Sequence, residues 1–182
     1  MLTTIAYTVL LVTYMTVIMR TKARPPGPND RQVEGEDAFI KLTLTLNLVW
    51  LASFSLPYIV APLDMLEPLP CVIIGSVLFA VGLLVRTIAM RTLGHYFTFK
   101  LTIRTDHQLV KSGIYNYIRH PSYTGTLFQL LGMMIAARSW AGLVGISLSA
   151  GVIILLRIGR EEKMLAQVFG EEYIEYQKKT KR

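Results

Sequence analysis

The sequence is nearly free of cysteine. Cys71 is its one thiol in 182 residues, which excludes an internal disulfide, and no Cys/His cluster has metal-ligand spacing. No glycine-rich turn joins a strand to a helix, so neither a Rossmann nor a P-loop phosphate site is present. A G-x-S-x-G elbow is missing too, which removes the serine-hydrolase reading. Acidic residues are scarce: 12 Asp and Glu stand against 19 Lys and Arg, for a net charge of +7. No basic stripe interleaves with a nucleic-acid module, so this balance is not read as nucleic-acid binding.

What the chain has in quantity is uncharged apolar sequence. Residues 1–19, 42–63 and 71–85 carry no charge, and residues 120–137 and 139–156 lack Lys, Arg, Asp and Glu. A helix crosses a bilayer with about 20 apolar residues. Five membrane-embedded helices are therefore expected, the third continuing to about Met90 through Arg86. The last two are short and joined at Ala137-Arg138-Ser139-Trp140, as a tight hairpin. The first run is expected to be retained, because its charges (Arg20, Lys22, Arg24) follow it and no A-x-A cleavage site appears. Of the 19 basic residues, 18 fall in the loop after the first span, the segment between the third and fourth, and the tail; only Arg138 lies on the other side. By the positive-inside rule the amino terminus faces outward, and these segments face the cytoplasm and its anionic lipid.

The expected fold class is all-α, a single membrane domain over 1–182, with 1–69 holding the first two spans and 70–182 the core. The Pro- and Gly-rich stretch 24–37 reads as a loop rather than a folded unit. Ala141, Gly145 and Ser149, four apart, form a small-residue ladder that would let another helix approach. The segment 91–121 is too long for a turn and too aromatic for disorder, so it should fold against the cytoplasmic face. In the tail, Leu165, Val168, Phe169 and Tyr173 give an apolar face at helical spacing, with Gly170 ending the first piece. That predicts a helix folded back along the interface or over a site.

The crowded stretch 113-GIYNYIRHPSY-123 is where chemistry concentrates. Pro121 suits a first helical turn, so a helix is expected to start there, with Ser122 and Tyr123 in that turn. Its amides and dipole favour an anion, to which His120 can donate. Tyr115, Tyr117 and Tyr123 offer faces for an adenine or a sulfonium. The bland alternative is an interfacial aromatic belt with a snorkelling Arg119. Arg157 and Glu161, four apart on one helical face, are either a surface ion pair worth about 0.3–0.5 kcal/mol or a binding pair. Arg86 resembles Arg157 in depth, or else only snorkels.

The stretch 107-HQLVKSGIYNYIRHPSY-123 resembles the signature of the isoprenylcysteine carboxyl methyltransferase family and its relatives, the phospholipid N-methyltransferases. The segment 157-RIGREEKMLAQVFGEEYIEY-176 resembles that family's second signature, an Arg and Glu four apart followed by F-G-x-E-Y. Five helices with cytoplasmic motifs are similar to the small prokaryotic members. The resemblance implies S-adenosylmethionine held by His107, Gln108, Leu109, Val110, Tyr115, His120, Pro121, Ser122, Tyr123 and Glu161, with a further contact near Thr102. It implies Arg157 facing the methyl acceptor. The expected partners are membrane lipids and a lipophilic acceptor entering from the bilayer, with no metal and no nucleic acid. The favoured acceptor is the carboxylate of a prenylcysteine-like compound. The expected location is the inner membrane of a prokaryote or the endoplasmic reticulum of a eukaryote. The competing readings are a phospholipid amine methyltransferase, an NADPH-dependent sterol-type reductase that shares an R-H-P-x-Y motif, and a lipid-binding helical protein without catalysis.

Overall fold

A computed structural model describes residues 2–20, 30–32, 41, 45, 67–98, 101–103 and 107–182. Its long elements are helical. Helix α1 (Leu2–Arg20) is uncharged until its last residue. Helix α2 spans Pro68–Leu93, α3 Pro121–Ala136, α4 Trp140–Phe169 and α5 Glu171–Lys179. Two two-residue strands, β1 (Arg31–Gln32) and β2 (Thr102–Ile103), pair antiparallel. The loop read from 24–37 therefore contains one paired edge. Backbone pairing over two residues leaves no side-chain pattern by which it could be foreseen.

The helix ends follow local chemistry. Proline occupies the first turn of both α2 and α3, where a missing N–H costs nothing. Gly94 and Gly170, at φ +56° and +54°, close α2 and α4, and their amides donate to Met90 O and Ala166 O. The hairpin foreseen at 137–140 is present, but only its first arm is short: α3 has 16 residues, whereas α4 runs unbroken for 30, because its apolar sequence passes directly into the helix-forming tail. Arg138 turns it at φ +60°, and the Ser139 hydroxyl caps α4 by accepting from the Gly142 amide at 2.8 Å.

Helices α2 and α3 run antiparallel and in close contact through reciprocal glycines. A β-carbon at Gly82 would stand 2.6 Å from Gly125 O, and one at Gly132 would stand 2.6 Å from Gly75 O. Against this pair lie α1 and α4, sharing a core of Tyr7, Phe79, Leu130, Met133, Met134, Ile146 and Ala150. The outer faces are apolar and open, for instance at Ile73, Val77, Leu84, Leu148 and Leu155. A bilayer hides such a surface; water would not tolerate it. Among the described residues two helices, over Pro68–Tyr96 and Trp140–Phe169, are long and apolar enough to cross a membrane, and Leu2–Val17 is a shorter apolar helix. Apart from Thr45, the expected span over 42–63 lies outside the described residues.

With 30 residues, α4 is roughly 45 Å long, against about 30 Å of hydrocarbon. Its final turns therefore project beyond the apolar slab, and Arg157, Glu161 and Glu162 sit on that projecting end. The 3-10 turn Gly94–Tyr96, the segment 107–120 and α5 pack around the same end.

Candidate functional site

A cavity of about 310 Å³ opens at this end, between the last turns of α2 and α4, the segment 107–123 and α5. Among the residues singled out from sequence, His107, Leu109, Val110, Tyr115, His120, Ser122, Tyr123, Arg157 and Glu161 line it, as do Thr102 and Arg86. Three do not. Gln108 is exposed, Pro121 is buried without reaching the wall, and Tyr117, expected to offer a face to the ligand, points to the outside at 75% exposure.

The wall has an aromatic side and a charged side. His107 stacks on Tyr96, with ring centroids 4.9 Å apart, and meets the edge of Phe169 at 5.7 Å. On the charged side Arg157 Nε donates to the Tyr123 hydroxyl at 2.9 Å, and that hydroxyl donates to Glu161 Oε2 at 2.8 Å. The side chains of Arg157 and Glu161 are thus joined through a tyrosine 34 residues upstream of Arg157. The resemblance implied all three residues in the site; the structure adds the hydrogen bonds that join them.

Glu162, which sequence reasoning passed over, organises the floor. Its carboxylate accepts from Arg119 Nε at 3.1 Å and from Arg182 Nη2 at 2.7 Å, and it lies 3.1 Å from His120 Nε2. His120 thus uses Nε2 on a neighbouring carboxylate, leaving Nδ1, 3.9 Å from Glu161 Oε2, on the Glu161 side. The amides of Tyr123 and Thr124 both bond back to His120 O, so the first turn of α3 offers fewer free donors than a bare helix start. Arg119 does more than snorkel. Its Nη1 also donates to the carbonyls of Gln177 and Thr180, and its amide donates to Lys181 O.

These bonds fasten α5 across the cavity. Tyr176 donates its hydroxyl to Tyr115 O at 2.5 Å, and Lys111 pairs with Glu172 at 2.7 Å. Tyr173 and Tyr176 both face the cavity from α5, so the tail does fold over the site. Burial pushes the Tyr115 phenol well up and the Tyr176 phenol to about 12, the latter against the pull of Arg119. Both stay neutral at any working pH.

A second cavity of about 200 Å³ lies deeper among the helices, lined by the aliphatic Leu130, Ile146, Ala150, Ile153 and Ile154 with Tyr14, Thr126 and Ser149 between them. Arg86, Tyr123 and Arg157 belong to the walls of both cavities. Arg86 donates to Thr126 Oγ1. The three residues form a polar partition between an aromatic, charged chamber and an apolar one. Such a partition can hold an anion whose tail is apolar beside a second, water-soluble ligand.

Comparison with known proteins bears on these two chambers. The model of the isoprenylcysteine carboxyl methyltransferase family matches residues 73–167. A protein-S-isoprenylcysteine O-methyltransferase of Saccharomyces cerevisiae is 39% identical over 112 residues, covering 60% of this chain and 47% of that protein. Those of Dictyostelium discoideum and Xenopus laevis are 35% and 36% identical, with 45% and 38% of their lengths covered. The chain thus spans about half the length, or less, of these relatives. A solved structure described as the eukaryotic intramembrane Ras methyltransferase superposes with TM-score 0.62 at 26% identity, covering 81% of this chain and 52% of that one.

Proposed function

From the fact that this chain belongs to the isoprenylcysteine carboxyl methyltransferase family, we propose that it transfers a methyl group from S-adenosylmethionine to the carboxylate of a prenylcysteine-like or other lipophilic compound. The observation that carries this reading is the shared wall of Arg86, Tyr123 and Arg157 between a charged, aromatic cavity and an apolar one. The relatives named above are methyltransferases of S-isoprenylcysteine, a group with one carboxylate and a long hydrocarbon tail. The two cavities match that division.

The larger cavity fits the methyl donor. Its volume of about 310 Å³ lies at the small end of the range for small-molecule sites. His107, Tyr96 and Tyr115 offer flat surfaces for a purine, Glu161 offers a carboxylate for a cationic group, and the buried hydroxyl of Tyr173 in the same lining has no partner among the described residues. When bound, S-adenosylmethionine supplies an electrophilic methyl group on a sulfonium.

The chain's own residues then have positioning work rather than proton transfer. An ionised carboxylate is its own nucleophile, so no general base is required, and no base dyad is needed in the wall. Arg157, with its Nε fixed by Tyr123, presents its remaining guanidinium donors to the acceptor's carboxylate. Arg86 lies in the same partition and adds a second positive charge. Because α5 closes the cavity, water is displaced and these charged contacts strengthen. The finer architecture belongs to the same proposal. The chain crosses the membrane five times as one domain, with its amino terminus outside and the donor cavity on the cytoplasmic side, where the basic residues cluster.

The test is transfer of a labelled methyl group to a farnesylated cysteine by the purified protein in lipid vesicles. A base-labile methyl ester is expected from the wild type. Arg157→Ala is expected to lower its formation roughly a hundredfold, the loss of about 2–3 kcal/mol of charged hydrogen bonding. Label appearing on an amine instead, or unchanged ester formation by the variant, would overturn the reading.

A further inference from the structure

The side chain of Tyr173 is among the most completely buried of the described residues, at 1% exposure. Its ring forms part of the donor cavity's wall, and its hydroxyl is buried without a hydrogen-bond partner among the described residues. Three residues further along the same helix, Tyr176 spends its hydroxyl on Tyr115 O. The two tyrosines are thus chemically alike and differently used. A buried donor left unpaired is destabilising, so a fold normally replaces such a residue with phenylalanine unless something else accepts the bond.

We infer that Tyr173 is a binding residue for the methyl donor, its hydroxyl donating to the carboxylate at the donor's amino-acid end. This rests on the methyltransferase reading above. Its location selects which end of the donor is meant. The hydroxyl lies within electrostatic reach of Glu161, Glu162 and Arg119. Glu162 is occupied by Arg119, His120 and Arg182, and Arg119 is occupied by Glu162 and the carbonyls of Gln177 and Thr180. Glu161 accepts from the neutral Tyr123 hydroxyl and is the carboxylate in the cavity's lining, suited to an ammonium group. An α-amino acid carries its carboxylate one carbon away from that ammonium, so a donor in the same cavity wall as Glu161 is what its second charge needs. Burial first, then the negative charge of Glu162, pushes the phenol well above the usual tyrosine range despite Arg119. The group therefore donates, and does not ionise, at neutral pH.

The experiment uses the full-length protein in detergent or vesicles and measures binding of two probes by calorimetry. S-adenosylhomocysteine carries the amino-acid end; 5′-methylthioadenosine lacks it and keeps the nucleoside. Tyr173→Phe keeps the ring and removes only the hydroxyl. It is expected to weaken S-adenosylhomocysteine roughly tenfold or more and to leave methylthioadenosine within about twofold. With the unpaired donor gone, the ligand-free variant should melt no lower than the wild type. Tyr176→Phe, by loosening the closure itself, should weaken both probes together. Equal binding of S-adenosylhomocysteine by wild type and Tyr173→Phe would overturn the assignment, and so would equal weakening of both probes by that variant. Wild-type protein that binds neither probe would overturn the methyl-donor reading along with it.

Discussion

At Glu162 a single buried carboxylate gathers Arg119, His120 and Arg182, side chains from segments far apart in sequence. Removing one partner from a buried charged cluster leaves the others uncompensated, which typically costs about 3–5 kcal/mol. Glu162→Ala is thus expected to lower stability by that order and to free the tail, measured as a fall in melting temperature with faster proteolysis after residue 170. An unchanged melting temperature with a protected tail would contradict this role. Glu162 was not legible in the sequence, whereas Glu161 was. Spacing by four from Arg157 marks Glu161 as sharing its face. Glu162 is rotated about 100° away, and only tertiary packing decides that His120 and Arg119 wait there. The motif residues around His120 were legible because so much polar chemistry is crowded between two apolar runs. The stacking of Tyr96 and Phe169 on His107 was not, since these partners reach one another across the fold.

For the helices, glycine position decides how near two backbones come. At Gly82 even one methyl group would meet Gly125 O at 2.6 Å and Gln129 N at 2.7 Å, so α2 and α3 would have to separate. Gly82→Ala should therefore destabilise by about 1–3 kcal/mol, as overpacking does. Gly145→Ala should be neutral or slightly stabilising, since no described atom lies within 4 Å of its β-carbon position. Equal thermal midpoints for the two variants would refute the distinction. The sequence drew attention to the ladder at Ala141, Gly145 and Ser149, because spacing by four is the familiar sign of a helix contact. Among the described residues the close approach is elsewhere. It uses glycines seven apart on each of two helices (75 and 82, 125 and 132), and pairing them requires knowing that those helices are neighbours. The element ends were easier to read, because Pro121, Gly170 and the Arg138 turn act through their own backbone preferences.

Across the whole molecule, closure depends on neutral phenols. Tyr176 titrates at about 12 rather than 10, and the phenols of Tyr115 and Tyr173 are also raised. A group whose folded value is raised gives stability that is complete below its unfolded value and lost as pH climbs through the folded one. The closure of α5 should hold unchanged through neutral pH and give way between about pH 10 and 12, when the Tyr176 oxyanion would face the Tyr115 carbonyl. Tyrosinate absorbance followed alongside tail proteolysis would check this; complete ionisation by pH 10 with the tail still protected would not fit. That the tail returns over the site was legible from the apolar spacing of Leu165, Phe169 and Tyr173, although Val168 of the same series turns out exposed. The 3-residue turn at 94–96 and the pairing of 31–32 with 102–103 were not, because they rest on backbone bonds that any side chains would permit.

The partition formed by Arg86, Tyr123 and Arg157 has a kinetic meaning beyond its geometry. On the proposed reading, one reactant arrives from a three-dimensional solution and the other from a two-dimensional sheet. The first is counted in moles per litre and the second as a mole fraction of the lipids. Diluting the acceptor with inert lipid then starves the reaction even when its amount in the tube is unchanged, so the membrane's composition sets the rate as directly as the substrates do.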